Sequence, residues 1–357
     1  MALPPETYFS YLAEGAANVV YRIQLPHLQA VPPPSITEEY EEYEDDESQP
    51  TESDIAPDWL QSSENKLLRV RKDLPTTQPC ESSHHAWLSL IAPMFEPDQI
   101  VQQSLVSLRA WNIIDQLNKE LRRWDQDGHR SKLRPSKRRG VYLADDEYGL
   151  LVDDMTSQNS TDAVVEFKPK WLSQSPSAPK DAKRCRQCAY VAQRNAKRAG
   201  SGKPPTEEPC PLDLISVSKQ DRIKAARLIL PPQESQIAIA RMTEWLASNS
   251  LLSRLRGYQN HLDKNGPLVS DVNDENFQLA MTLRDCTVFM RIRGGMNDPN
   301  SAIEARLGDL DLKSKEKRQY WVDTEKALIN EGWYMATELE TFRQPNNCHI
   351  CSKQYQT

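Results

Sequence analysis

Three short stretches hold side chains whose types and spacing could do chemistry: VVEFKPKW at 164–171, DCTVFM at 285–290 and ARLGDLDLK at 305–313. Read as a strand, the first puts Glu166, Lys168 and Lys170 on one face and Val165 and Phe167 on the other. Like charges two residues apart repel unless an anion lies between them, so the pattern suits a solvated edge or a phosphate-binding strand. In the last stretch Leu310 and Leu312 alternate with Asp309, Asp311 and Lys313. Carboxylates beside a lysine at a strand end suit Mg²⁺ with phosphate nearby, because Mg²⁺ prefers one or two carboxylates plus phosphate oxygens. EGAAN at 14–18 is a small-residue turn with one glycine, and no GK[ST] follows it, so it is not a Walker loop. Arg69 adds a planar cation, and Asp285 a carboxylate opening a β-prone run. Phosphoryl transfer asks for this set: a backbone cradle, a cation, carboxylates for Mg²⁺ and a carboxylate to orient the attacking hydroxyl.

The elements that must position these residues read as an α+β chain of two lobes, 1–155 and 156–357. EGAANVVYRI (14–23) is a turn entering a strand, and KLLRVRK (66–72) is a second strand, predicting a small antiparallel lobe. Val101, Leu105, Leu108, Trp111, Ile114, Leu117 and Leu121 recur at helical spacing, which predicts a helix over 98–124 capped by Asp98. Residues 172–209 read as loop apart from a helical patch at CRQCAYVAQRNAKRA. PLDLISVSKQDRIKAARLIL (211–230) reads as a turn feeding a helix, with Ser218 and Asp221 in a capping relation. A helix over 236–256, strands at 285–292 and 305–313, and a helix over about 320–338 complete the second lobe.

The net charge of −7 conceals a cationic body. Residues 35–54 hold ten acidic and no basic side chains, within a segment (about 32–57) whose composition predicts a disordered insert. Without those ten charges the remainder stands near +3, and the excess is concentrated. Residues 122–139 carry eight Lys/Arg against two Asp, and residues 168–203 carry ten against Asp181 alone. Concentrated positive charge expects a polyanionic partner. A mean hydropathy of −0.69 and the lack of an apolar run near the ~18–20 residues of a membrane span argue against a membrane protein. The first residues, MALPPETYFSYLAEG, lack a signal-peptide layout, and seven cysteines with no such signal suggest reduced thiols in the cytoplasm or nucleus.

Taken in order, EGAANVVY, LLRVRK, LIAPMFEP, VVEFKPKW, PLDLIS, LRDCTVFM and LGDLDLK resemble the inositol-pentakisphosphate 2-kinases, over residues 11–321. EFKPK is similar to the Glu-x-Lys-Pro-Lys signature of that family, and a fungal-type member is expected. The resemblance implies a two-lobed inositol-phosphate-kinase fold and phosphorylation of the 2-hydroxyl of inositol 1,3,4,5,6-pentakisphosphate by ATP, giving the hexakisphosphate and ADP. It also implies roles. Gly15, Ala16, Ala17, Asn18 and Arg69 would meet the ATP phosphates, Asp153 and Asp154 the adenine side, and Glu166 would lie near the nucleotide. Asp285 would orient the hydroxyl and accept its proton, with Lys168 as its catalytic companion. Asp309 would hold Mg²⁺, with Asp285 as an optional second ligand. Lys72, Arg138, Arg139, Lys168, Lys170, Arg186, Lys313, Lys317, Arg318 and Tyr320 would serve the inositide phosphates. A monomer with no membrane or nucleic-acid partner is the expectation.

The chain departs from the family in two places. The paired asparagines after the PLDL helix are not visible where LPPQESQIAIA stands, and residues 250–284 hold His261 but no cysteine for the zinc site of some members. Cys185-x-x-Cys188, Cys210 and Cys348-x-x-Cys351 occur instead. Two CxxC pairs can make a four-thiolate zinc site, Cys210 competes as a ligand for the first pair, and free buried thiols are the alternative. Cys185, Cys188 and Cys210 are the zinc candidates. Two rival functions stay open here. One is a zinc-stabilised nucleic-acid binder using 168–203, where only Trp171 and Tyr190 could stack on bases. The other is an inactive inositol-phosphate binder, against which Asp285, Asp309 and Lys168 are all present.

Overall fold

Alternating apolar residues in short β-prone runs build the first of two units, Met1–His85 with Gln102–Asp154. Strands β1 (Tyr8–Glu14), β2 (Asn18–Gln24), β3 (Lys66–Arg71), β4 (Gln103–Ser107) and β5 (Tyr148–Asp153) form one antiparallel sheet in the order β1-β2-β3-β5-β4. The unit also holds α1 (Cys80–Ala86) up to its last residue, and α2 (Ile113–Gln126). Val19, Tyr21, Leu68, Val70 and Leu151 from the sheet bury against Ile113, Leu117 and Leu121 of α2. The computed structural model describes residues 3–25, 65–127, 134–269, 274–298, 300–336 and 348–354; the insert expected over 32–57 lies outside them.

The helix expected over 98–124 is corrected: Gln103–Ser107 is strand β4, and the α-helix covers Ile113–Gln126. Apolar residues at 101, 105, 106 and 108 satisfy either period, and pairing of β4 with β5 decides between them. Trp111 and Asn112 then take φ of 64° and 50°, which no helix tolerates, so α2 starts after them and Trp111 is left exposed.

The second unit is Ala86–Val101 with Met155–Thr357. Residues 86–101, placed by the sequence reading in the first lobe, belong here: Ile100 bridges Leu307, and the Val101 N–H donates to Leu307 O at 2.9 Å. Strands β6 (Ala163–Phe167), β7 (Thr287–Ile292) and β8 (Ile303–Gly308) form an antiparallel sheet in that order. Around it run α3 (Arg186–Gly200), α4 (Pro211–Leu214), α5 (Lys219–Ile229), α6 (Gln236–Ser248), α7 (Leu251–Leu262), α8 (Glu275–Leu283), α9 (Arg318–Asn330) and α10 (His349–Gln354). Val165, Phe167, Val288, Met290 and Leu307 face Ala226, Met242, Leu255 and Leu283 in one core. Each of the Val, Leu, Phe and Met side chains among them contributes about 1.5–3 kcal/mol when fully buried.

Ser218 caps α5 by accepting from the Asp221 N–H at 3.4 Å, as its spacing predicts. The helix expected over 236–256 is two: Asn249 leaves helical geometry, accepts from the Leu252 N–H at 2.9 Å and so ends α6 and starts α7. Helix α9 covers 318–330 rather than 320–338. No helix among the described residues is long and apolar enough to cross a membrane.

The tight β1–β2 turn hangs on a buried ion cluster. Glu14 lies 2.5 Å from Lys72 Nζ and 2.9 Å from Arg134 Nε, all three side chains being fully buried. Lys72 also donates to Gly15 O at 2.9 Å, and Arg134 reaches Asp125 at 2.8 Å. Burial alone would raise the Glu14 carboxyl, but the two cations outweigh it and hold it below its usual range. Removing one partner of such a pair leaves an uncompensated buried charge, which costs about 3–5 kcal/mol. Glu14→Gln is therefore expected to lose stability of that order in urea denaturation, and an unchanged midpoint would show that the cluster does not hold the turn.

Candidate functional site

Asp285 follows Arg284, the residue that caps the C-terminus of α8, and precedes β7 by two positions. Its carboxylate accepts from Lys170 Nζ at 2.8 Å and lies 2.8 Å from Lys313 Nζ. Lys168 Nζ donates to the main-chain oxygen of Asp285 at 2.8 Å and stands 3.6 Å from the Asp309 carboxylate. Asp309 in turn accepts from Thr287 Oγ1 at 2.6 Å. The pairing of Phe167 with Val288, and of Thr287 with Gly308, brings the ends of all three strands to this point.

The route differs from strand alternation. β6 stops at Phe167, Pro169 is buried, and Lys170 takes φ 55°, so the two lysines converge through a turn rather than along one strand face. β8 likewise stops at Gly308 and Asp309 takes φ 55°, which corrects the strand expected over 305–313. Residue 308 must be glycine, because a Cβ there would come within 2.7 Å of the Phe289 ring. Side chains hold both turns. Gln259, 1% exposed, donates to Lys170 O at 2.8 Å and Leu283 O at 3.1 Å and accepts from the Leu172 N–H at 3.0 Å. Thr282 Oγ1 accepts from the Lys313 N–H at 3.0 Å, and the Gln278 amide donates to Lys313 O.

Beside Asp285 opens a recess of about 360 Å³ whose lining includes six cations, Lys170, Arg186, Arg194, Arg284, Lys313 and Lys317, and Asp285 as the one carboxylate. Trp171 lies between two guanidinium groups, with Arg284 at 3.6 Å and Arg186 at 4.7 Å from its ring centre. Arg186 is anchored by buried Glu325 at 3.2 Å and Arg284 by buried Asp263 at 2.5 Å. Burial lowers the Arg284 guanidinium to about 10 against the pull of Asp263, so it stays charged at neutral pH. A second recess of about 410 Å³ shares Lys170 and Arg194 and adds Glu166 and Lys168. Glu166 reaches solvent, and partial burial with the Asp309 carboxylate alongside pushes its carboxyl above the usual range.

Lys317 and Tyr320 line the first recess, and Arg318 lies 5.6 Å over the Phe277 ring. Lys72 is corrected from an inositide contact to a fully buried support of the β1–β2 turn, since a charge paired with Glu14 and closed off from water cannot meet a ligand. Arg194 and Arg284 line the first recess without having stood out in the sequence, and Tyr190, weighed there only for base stacking, lines it too. The helical patch expected at CRQCAYVAQRNAKRA is α3, and Arg186, Tyr190 and Arg194 recur every four residues along one face of it.

In the first unit the Gly15 N–H donates to Asn18 O at 2.9 Å, closing the Gly15–Asn18 turn. With its amide oxygen turned toward Arg69, Asn18 accepts from that guanidinium at 2.6 Å. Asp153 pairs with Lys66, and Asp154 lies 3.4 Å from Arg22. Arg138 is half-buried and Arg139 exposed, beside a short 3-10 turn. Cys185, Cys188, Cys210 and Cys348 bring their sulfurs within 4.8 Å of one another, so Cys348 joins the expected set without Cys351.

Two outcomes follow from this geometry. Gln259→Ala strands three buried main-chain groups, each costing about 1–3 kcal/mol, so a stability loss on the order of 3 kcal/mol is expected in denaturant; a change within a few tenths would remove Gln259 as the clamp. Asp285, although burial opposes it, is held well below the usual carboxylate range by the ammonium groups of Lys313 and Lys170. A depressed folded value gives stability that is present above the unfolded value of about 4 and is lost as pH falls through the folded one. Asp285→Asn should flatten that part of the acid-denaturation curve, and an unaltered curve would contradict the pairing.

The sequence model of the family described as inositol-pentakisphosphate 2-kinase matches residues 11–327. The inositol-pentakisphosphate 2-kinase of Yarrowia lipolytica is 33% identical over 183 residues, half of this chain and 56% of that protein. That of Saccharomyces cerevisiae is 31% identical over 181 residues, 49% of this chain and 56% of that protein, and that of Debaryomyces hansenii 28% over 205 residues, 48% and 51%. The matches thus span about half the length of these curated relatives. With the family's sequence model running through both units, from the β1–β2 turn to the Asp285 cluster and the basic recess, the chain belongs to the inositol-pentakisphosphate 2-kinase family.

Proposed function

We propose that this chain transfers the γ-phosphoryl group of ATP to the 2-hydroxyl of inositol 1,3,4,5,6-pentakisphosphate, giving inositol hexakisphosphate and ADP. One observation carries the reading: Asp285 is the lone carboxylate on a recess lined by six cations. A highly phosphorylated cyclitol needs charge-assisted contacts on several sides at once, while its one free hydroxyl needs a hydrogen-bond acceptor. The recess supplies both.

In the free chain Asp285 is satisfied by lysines, and a carboxylate so paired is a weak base. Phosphates entering the recess compete for Lys170 and Lys313 and release the carboxylate to the hydroxyl, whose proton it accepts. A weak base suffices, because the transition state of phosphoryl transfer is loose and its charge lies on the transferred group. Lys168, between Asp285 and Asp309, meets the phosphoryl group in flight. The donor set also fits Mg²⁺: Asp309 and Asp285 have side chains 49% and 42% exposed, and the crowding of Asp309 against Glu166 is what a divalent cation relieves. Asp309, with Asp285 beside it, would hold the ion, whose charge offsets that of the ATP phosphates. The Gly15–Asn18 turn with Arg69 takes the phosphates of ATP, and Asp153 and Asp154 the base side.

The test is to incubate the chain with Mg-ATP and the pentakisphosphate and to resolve products by anion exchange. Hexakisphosphate and ADP in equal amounts are expected, with Asp285→Ala lowering turnover by roughly 10²–10⁴-fold. No hexakisphosphate from the unaltered chain, or full turnover by the variant, would contradict the proposal.

A further inference from the structure

A buried carboxylate is costly unless its oxygens are satisfied, and the fully buried Glu325 of α9 meets three donors. One oxygen accepts from Ser175 Oγ at 2.8 Å and from Tyr334 Oη at 2.6 Å. The other accepts from Arg186 Nε at 3.2 Å. Burial and the Glu325 charge push the Tyr334 hydroxyl up, so it stays a donor. Tyr334 is itself fixed: it is fully buried, and its main-chain oxygen accepts from the Lys183 and Arg184 N–H groups at 2.9 and 3.0 Å.

The main chain of Arg186 is held as firmly as its side chain. Gln174 Oε1 accepts from the Arg186 N–H at 2.9 Å, and the same amide donates to Arg184 O at 3.1 Å. The guanidinium also lies over two rings, Trp171 at 4.7 Å and Tyr190 at 5.6 Å. Of the N–H donors in its rigid fork, Glu325 takes the one on Nε, and no other group among the described residues hydrogen-bonds to the guanidinium. Arg186 is 7% exposed and borders the recess of about 360 Å³, so its two Nη groups are what it offers a ligand.

We propose that Glu325 is a positioning residue: by taking Nε it fixes Arg186 as an end-on fork for a single phosphate, and the pair thereby decides which phosphate pattern the recess accepts. Two parallel Nη–H bonds match two oxygens of one phosphate, whereas a side-on grip through Nε is closed off. The lysines of the recess behave differently. Lys170 and Lys313 carry ammonium groups on flexible four-carbon stems and can follow a phosphate that sits slightly elsewhere. Arg186, held at Nε and at its main chain, cannot, so the phosphate has to come to it. The inference rests on the polyanionic substrate proposed above and names the residue pair that selects it.

The test is calorimetric titration of the full chain, without nucleotide, with inositol pentakisphosphate and with each inositol tetrakisphosphate that lacks one of its phosphates. Glu325→Ala should weaken pentakisphosphate binding roughly 10–100-fold, as loss of a charge-assisted contact does. In an Arg186→Ala background the same change should shift binding by less than about twofold, because a residue that acts through Arg186 has nothing left to act on. One tetrakisphosphate, the isomer missing the phosphate that Arg186 holds, should bind the unaltered chain and Glu325→Ala alike, while the other isomers lose affinity as the pentakisphosphate does. A merely structural role would lower affinity for every isomer and in both backgrounds, and that result overturns the proposal, as does unchanged binding. If Glu325→Ala does not fold, Tyr334→Phe, which removes one donor to Glu325, is read in the same cycle, with a smaller loss and the same insensitive isomer expected. Coupled binding without hexakisphosphate formation rejects the kinase reading and leaves the positioning role standing; hexakisphosphate formation without coupling does the reverse. An unaltered chain that binds no pentakisphosphate overturns both.

Discussion

One balance of charge governs the recess: the Asp285 carboxylate against the ammonium groups of Lys168, Lys170 and Lys313. The aspartate is 42% exposed and the lysines 20–40%, so water screens these pairs and each contributes little to stability, about 0–1 kcal/mol. Screened pairs are also cheap to exchange. A cluster with more cations than anions at a half-open site is arranged to receive negative charge, and the ion pairs of the free chain keep the lysines aimed until it arrives.

The arginines work differently. Arg186 and Arg284 are buried, each joined to a fully buried carboxylate and stacked on Trp171. Removing either partner would strand a charge in low dielectric, so these cations do not leave their carboxylates. Fixed guanidinium groups form the floor and wall, while exchangeable ammonium groups face the reacting carboxylate. The fold accepts strain to make this possible. Left-handed backbone at Lys170 and Asp309 costs on the order of 1–3 kcal/mol each, and Gln259, Thr282 and Gln278 hold the turns in which they sit.

The chemistry was more legible in the sequence than the geometry. Lys168, Lys170, Asp285, Asp309 and Lys313 stood out because such residue types beside apolar runs are hard to explain as core, and the structure gathers all five within hydrogen-bonding or ion-pair reach. How they meet was not legible. Alternation along a strand put Lys168 and Lys170 side by side, whereas a left-handed residue after Pro169 does so, and neither lysine nor aspartate advertises positive φ in advance. β4 escaped notice because its apolar spacing satisfies two periods until β5 is available to pair. Arg284 and Arg194 were missed for another reason: burial against Asp263 and pairing with Glu208 depend on partners that no local pattern reveals. Cys348 joined the thiol group across 163 residues, a distance at which spacing carries no information.

The measurement that bears most directly on the charge balance is the affinity of the free chain for inositol pentakisphosphate, without nucleotide, compared between Asp285 and Asp285→Asn at several salt concentrations. If the carboxylate competes with substrate phosphates for Lys170 and Lys313, the asparagine variant binds more tightly than the unaltered chain, with the gap widest at low salt. Equal or weaker binding by the variant across the salt series would contradict the exchange on which the account depends.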